Sequence, residues 1–95
     1  TSKMGNELGQ HLDQSKKTGV LTLRNFKLVK VPPEVYAITQ FLRNIDLSIN
    51  KLAAIPPELF INTKSLKTLN LSQNRLGKFL IFHIFLNYLF FNFNY

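Results

Sequence analysis

The sequence contains no cysteine and no tryptophan, and only four glycines among its 95 residues. Small secreted domains usually carry disulfides, so the lack of cysteine favours an intracellular, reducing compartment. The glycines are scattered at Gly5, Gly9, Gly19 and Gly77, too far apart to form a phosphate-binding loop.

Groups that perform catalysis are missing from the sequence in the same way. No nucleophile elbow and no pair of carboxylates next to a base is present. Neither His11 nor His83 has a cysteine or a carboxylate pair at metal-ligand spacing. We therefore predict that the protein is not an enzyme and that it needs no metal and no cofactor.

Acidic residues are also scarce, because 12 Lys and Arg stand against 5 Asp and Glu, for a net charge of +7. Such an excess can indicate binding to nucleic acid or to anionic lipid. The cations are dispersed along the chain, however, and Lys16-Lys17 is the one doublet. No aromatic residues alternate with the cations as a base-stacking platform requires, which disfavours nucleic acid as a partner.

What the sequence does contain is a repeat of 24 residues. The segment from Leu42 to Pro56 recurs from Leu66 to Leu76, and a weaker copy runs from Thr18 to Pro32. Whole columns of large apolar residues align, namely Leu21/Ile45/Leu69, Leu23/Leu47/Leu71, Leu28/Leu52/Leu76 and Val31/Ile55/Phe79. Three copies in one register predict a repeat protein.

Alternation of apolar and polar residues predicts a short strand in each copy. Ile45 and Leu47 point to one face and Asp46 and Ser48 to the other. A strand this short cannot bury its apolar face alone, so we expect three parallel strands near residues 21–23, 45–47 and 69–71. The Pro-Pro-Glu segments at 32–34 and 56–58 predict short helical turns on the opposite, convex side.

The pattern Leu-x-x-Leu-x-Leu-x-x-Asn-x-Leu resembles the leucine-rich repeat family. The resemblance implies a truncated α/β solenoid with parallel short strands. It also implies a ladder of asparagines: Asn50 and Asn74 follow their strands, where a buried carboxamide can satisfy free backbone groups. Phe26 takes this place in the first copy.

In such a solenoid the outward strand positions form an extended surface that binds other proteins. We call this surface the concave face, and it comprises Thr22, Arg24, Arg43, Asn44, Asp46, Ser48, Lys67, Thr68, Asn70 and Ser72. Its residues are polar and offer few of the aromatic anchors that dominate binding hot spots. A purely solvated sheet face is therefore the alternative interpretation.

The repeats occupy residues 18–76 and are preceded by a segment over residues 1–17. Leu8, His11, Leu12 and Ser15 recur at helical spacing, which predicts a helix over residues 7–17 that caps the first repeat. Residues 1–17 hold no apolar run typical of a secretory signal, so we expect a cytoplasmic protein.

Met4 and Gly5 form the start of an N-myristoylation signal. If translation begins at Met4, the amine of Gly5 becomes available for acylation. The signal also requires Ser or Thr where this chain has Gly9. The expectation is a protein held at the cytoplasmic face of a membrane.

The repeat pattern stops after Leu76, and residues 77–95 form a hydrophobic tail that holds six of the nine phenylalanines. The tail is a break in composition, and we expect no fourth repeat in it. One interpretation is read-through after Gly77, which would give a non-functional or unstable truncated product. Another is a membrane tail anchor. A third is that the tail folds back over the open edge of the last strand.

Overall fold

The computed structural model describes residues 2–60, 65–81 and 92–94. Helix α1 spans Ser2–Thr18 and is followed by strands β1 (Val20–Thr22), β2 (Asn44–Asp46), β3 (Thr68–Asn70) and β4 (Asn92–Asn94). Three 3₁₀ helices, Pro33–Ala37, Thr39–Phe41 and Pro57–Phe60, lie between the strands, and residues 78–81 are helical. The sheet order is β1-β2-β3-β4 with parallel neighbours, as a truncated leucine-rich-repeat solenoid requires.

The register of the sheet follows the 24-residue period. Leu21 pairs with Ile45, Ile45 with Leu69, and Leu69 with Phe93. Each strand begins one residue earlier than predicted. The backbone hydrogen bonds between neighbouring repeats nonetheless continue one residue beyond the strands: Leu23 N donates to Asp46 O and Leu47 N donates to Asn70 O, both at 2.8 Å.

Strand β4 corrects two expectations, because three strands were predicted and none was expected in the tail. Residues 92–94 instead take the next position of the 24-residue register, beside β3. They cover the edge of β3, as the third interpretation of the tail requires. The read-through and tail-anchor interpretations concern the whole tail, of which residues 82–91 lie outside the described residues. No helix in the described ranges is long and apolar enough to cross a membrane.

The core lies between the sheet and the 3₁₀ helices. Its strand side consists of leucines and one isoleucine exposed by 1 % or less, namely Leu21, Leu23, Ile45, Leu47, Leu69 and Leu71. Val35, Ile38 and Leu59 close the core from the convex side, while Tyr36 and Phe60 are partly buried at its border. On the strand side this packing confirms the inward positions predicted for Ile45 and Leu47.

Phe79 departs from its column. Val31 and Ile55, at the matching positions of the earlier repeats, are buried, whereas Phe79 is 93 % exposed. The chain is helical over residues 78–81, with Ile81 N donating to Gly77 O, so the repeat conformation ends at Gly77.

Helix α1 caps the first repeat and is longer than predicted, since it begins at Ser2 instead of residue 7. Leu12 and Ser15 are buried against the repeat, and the His11 ring meets Phe26 edge-on with centroids 5.2 Å apart. The helix ends where Gly19, with a φ of +79°, donates its N–H to Ser15 O at 2.8 Å. A residue without Cβ is favoured in this conformation.

Candidate functional site

The parallel register brings the concave face together from three strands. Four of its residues are exposed, Thr22, Arg24, Arg43 and Lys67, and five are half-buried, Asn44, Asp46, Thr68, Asn70 and Ser72. Equivalent positions lie side by side, because the residues of β1, β2 and β3 pair at a constant 24-residue step. The result is a continuous polar surface across the sheet.

Ser48 is the exception, and its assignment to the exposed surface is corrected. Its side chain is only 2 % exposed, and its N–H donates to Asp46 Oδ1 at 2.9 Å. The hydroxyl has no hydrogen-bond partner within the described ranges. Alternation had placed Ser48 outward, but the chain already leaves the strand after Asp46 and turns at Ile49, whose φ is +56°.

Several side chains of the concave face are held by their neighbours. Thr68 Oγ1 donates to Asn44 Oδ1 at 2.6 Å, which links β3 to β2. Asn70 Oδ1 accepts from the N–H of Ser72 at 3.0 Å and from its hydroxyl at 2.7 Å. Side chains that are ordered before binding lose less conformational entropy when a partner arrives.

The charges of the concave face have a simple arrangement. Asp46 lies between Thr22 and Asn70 in the register and supplies the carboxylate of the face. Arg43 and Lys67 stand next to each other where β2 and β3 begin, because Lys67 N donates to Arg43 O at 2.6 Å. A partner therefore meets cations at the strand entries, a carboxylate at the centre and the cation of Arg24 beyond the exit of β1.

Asn50 joins the first two repeats below this face. Its Nδ2 group donates to Leu23 O at 3.0 Å and to Leu47 O at 2.8 Å. Its Oδ1 accepts from Phe26 N at 3.0 Å and from Leu28 N at 2.9 Å. The side chain is 8 % exposed, so its hydrogen bonds satisfy backbone groups in a buried turn.

Asn74 repeats this arrangement one unit later, with fewer partners. Its Nδ2 group donates to Leu47 O at 2.9 Å and to Leu71 O at 3.0 Å, and its Oδ1 accepts from Leu52 N at 2.9 Å. Asn74 is half-buried, where the sequence predicted full burial. The two asparagines fix the strand exits and thereby the spacing of the concave face.

No cluster of three or more His, Cys, Asp or Glu side chains in the described part of the chain is arranged to hold a metal ion. His11 packs on Phe26 in the cap. His83 lies outside the described residues.

Residues 40–81 match the family model described as leucine rich repeat. The matched segment contains β2 and β3, both ladder asparagines and most of the concave face. It supports a leucine-rich repeat family for this chain, in agreement with the sheet geometry. A search of solved structures found no match.

Proposed function

We propose that the protein is a non-enzymatic module that binds another protein through the concave face. Leucine-rich repeat domains generally bind other proteins, and extended solenoid surfaces are suited to this task. The observation that carries the proposal is the fixed polar surface, in which Thr68 holds Asn44 and Ser72 holds Asn70. A merely solvated sheet face does not require a side chain of one strand to be tied to a side chain of the next, as Thr68 is tied to Asn44.

The charge pattern indicates what the partner presents. Asp46 offers a carboxylate that suits an arginine or lysine of the partner. Arg43, three residues earlier in the chain, suits a partner carboxylate placed about 10 Å away, and Lys67 stands beside Arg43 at the start of the next strand. Complementary charges of this kind set specificity and association rate more than total affinity.

Site-specific photo-crosslinking in cells tests the proposal. A photoreactive amino acid at Asn70 should capture a defined partner, whereas the same group at Gln40, which is exposed in the convex-side helix Thr39–Phe41, should not. Asp46→Arg should abolish the capture at Asn70 while the chain stays folded at the temperature of the experiment, although loss of the hydrogen bond from Ser48 N lowers its melting temperature. Equal capture at both positions, or capture that survives Asp46→Arg, would contradict a binding role for this face.

Membrane attachment through Gly5 is a second candidate function. Gly5 lies in α1 one turn before Leu8, which packs against the core, so the acylation site precedes the docked part of the helix. A single myristoyl chain gives reversible binding and needs a second membrane contact. We place the protein in the cytoplasm, at the cytoplasmic face of a membrane. Mass spectrometry of protein expressed from Met4 tests this candidate, and an unmodified Gly5 amine would exclude it.

The order of Met-Gly-Asn, Lys-Thr-Gly-Val, Ile-Asp-Leu-Ser and Pro-Pro resembles leucine-rich repeat-containing protein 57. We propose this similarity as a guide to partners, to be tested by asking whether that protein competes for the partner captured at Asn70.

A further inference from the structure

The turns that follow β1, β2 and β3 carry a row of cations that the concave face does not include. Lys27, Lys51 and Arg75 are separated by 24 residues each, and all three are exposed. We call these three residues the basic row. Along the chain they are scattered, and only the stacking of the repeats brings them together.

Backbone hydrogen bonds fix the basic row. Lys51 N donates to Leu28 O at 2.7 Å, and Arg75 N donates to Leu52 O at 2.8 Å, so Lys51 and Arg75 are each tied to the turn of the preceding repeat. The ladder asparagines Asn50 and Asn74 directly precede Lys51 and Arg75 and hold the same turns. At strand spacing the row spans roughly 10 Å, about one Debye length, so the three charges act together.

The chain segments that carry the row contain no acidic residue. The segments 24–33, 48–57 and 72–81 contain six of the twelve cations and none of the five acidic residues. Arg24, Lys30 and Lys78 complete this set, and all three are exposed. In the described ranges none of the three row residues forms an ion pair. At this end of the strands the row therefore presents three exposed cations that no ion pair in the described part of the chain neutralises.

Two exposed apolar residues lie close to the row along the chain. Val29, two positions after Lys27, is 65 % exposed, and Phe79, four positions after Arg75, is 93 % exposed. Basic residues combined with exposed apolar side chains are typical of protein surfaces that lie in a membrane interface. A specific peptide or nucleic-acid site would instead require a groove or a platform of several aromatic residues.

We propose that this end of the strands binds an anionic membrane surface, with the basic row facing the lipid headgroups and with Phe79 entering the interface. The proposal does not depend on acylation of Gly5 or on the concave face, so the unmodified full-length chain serves for the test. The attraction is electrostatic and should weaken as salt is raised.

Vesicle co-sedimentation measures the binding. Vesicles of phosphatidylcholine and phosphatidylserine in a ratio of roughly three to one should bind the chain, and pure phosphatidylcholine vesicles should bind it at least about tenfold more weakly. The variant K27E/K51E/R75E should lose at least about tenfold in partitioning to the anionic vesicles. The variant K27Q/K51Q/R75Q, which introduces no new charge, should show a smaller loss in the same direction.

A matched control variant separates the effect of cation position on vesicle binding from the effect of net charge. The variant K16E/K17E/K67E changes the net charge by the same amount, at three exposed cations outside the row. It should bind the anionic vesicles more tightly than K27E/K51E/R75E by at least about fivefold, since roughly one cation contact corresponds to that factor. Equal losses in the two variants would overturn the proposal, because net charge alone would then explain the binding.

Insertion of Phe79 into the membrane interface can be measured by tryptophan fluorescence. The chain lacks tryptophan, so a single introduced tryptophan reports on its own position. In Phe79→Trp the fluorescence should shift to the blue with anionic vesicles, whereas Phe41→Trp, at a 45 % exposed position on the convex side, should not shift. No shift at position 79, or the same shift at both positions, would contradict the assigned orientation. Polyglutamate and single-stranded DNA serve as soluble polyanions for comparison. If the chain binds either of them more tightly than it binds vesicles, and if K27E/K51E/R75E loses that binding, the row is a site for soluble polyanions and the membrane proposal is wrong.

Discussion

The side-chain amide of Asn50 donates a hydrogen bond to the carbonyl oxygen of Leu23, a residue of the preceding repeat, at 3.0 Å. The same carboxamide serves Phe26 N and Leu28 N, so one side chain replaces the ladder partners that the turn after β1 lacks. Removing it leaves several buried backbone groups without partners.

Asn50→Ala should therefore lower the free energy of unfolding by about 2–3 kcal/mol, the upper part of the range for stranded buried polar groups. Asn74→Ala is the matched variant and should cost less, about 1 kcal/mol, because Asn74 is half-buried and water can replace its bonds. Urea denaturation of both variants measures the difference. If both variants lower the free energy of unfolding by the same amount, burial does not determine how much each asparagine of the ladder contributes.

Gly19 and Gly9 should respond oppositely to substitution by alanine. At Gly19 the φ of +79° and a Cβ position 3.3 Å from Phe41 O make Gly19→Ala destabilising, by about 1–2 kcal/mol for the left-handed conformation alone. Gly9 lies within α1 with nothing near its Cβ position, so Gly9→Ala should stabilise by roughly 0.5–1 kcal/mol. The melting temperatures of the two variants test this prediction. A lower melting temperature for Gly9→Ala would mean that the cap needs a flexible helix at this position.

Tyr36 gives the protein a pH dependence in the alkaline range. Burial, and secondarily the negative charge of Glu58, raises the pKa of Tyr36 above its ordinary value of 10.0. Above that value the unfolded state releases the phenolic proton while the folded state keeps it, so the free energy of unfolding falls as the pH rises through the raised pKa.

The Tyr36→Phe variant should lack this alkaline loss of stability, and the wild-type absorbance titration minus that of the variant should give the pKa of Tyr36. Glu58→Gln should lower the pKa only in part, because burial remains. A difference titration centred at the ordinary value of 10.0 would disprove the raised pKa.

The pairing of β4 with β3 can be tested in a background free of cysteine. Thr68 and Asn92 are register partners, and neighbouring strands about 5 Å apart permit a disulfide. T68C/N92C should therefore oxidise to an intramolecular disulfide. N44C/N92C, two strands apart at about 10 Å, should not form one. Mass spectrometry after mild oxidation distinguishes the two, and a disulfide in the control alone would refute the register.

Much of the fold follows from the period of the sequence. The aligned positions that begin with Leu21 and Leu23 predict the core, because large apolar residues that recur every 24 positions stack on one another in neighbouring repeats. The strand-exit bonds of Asn50 also follow, since a carboxamide at a turn has few other ways to satisfy its neighbours. Strand positions were off by one residue because alternation alone does not mark where pairing begins.

Other features required the assembled structure. The same 24-residue step from Leu69 leads to Phe93, but the unusual composition of the tail obscured it. Ser48 alternates as an outward residue and is nevertheless buried, since the turn at Ile49 draws it inward. The basic row illustrates the same limit: Lys27 and Lys51 are isolated in the sequence and adjacent in the stack.

The carbonyl of Gly19 accepts both Arg43 N at 2.7 Å and Asn44 N at 3.1 Å, and the carbonyl of Arg43 accepts both Lys67 N and Thr68 N. The entries of β2 and β3 are thus each held by a shared carbonyl, while the exits of β1 and β2 are each held by an asparagine of the next repeat. A repeat that unfolds consequently leaves unsatisfied groups at two places in its neighbour, so partial fraying is costly. The stack should melt as one cooperative unit and should accept the insertion of a whole repeat more readily than that of two residues.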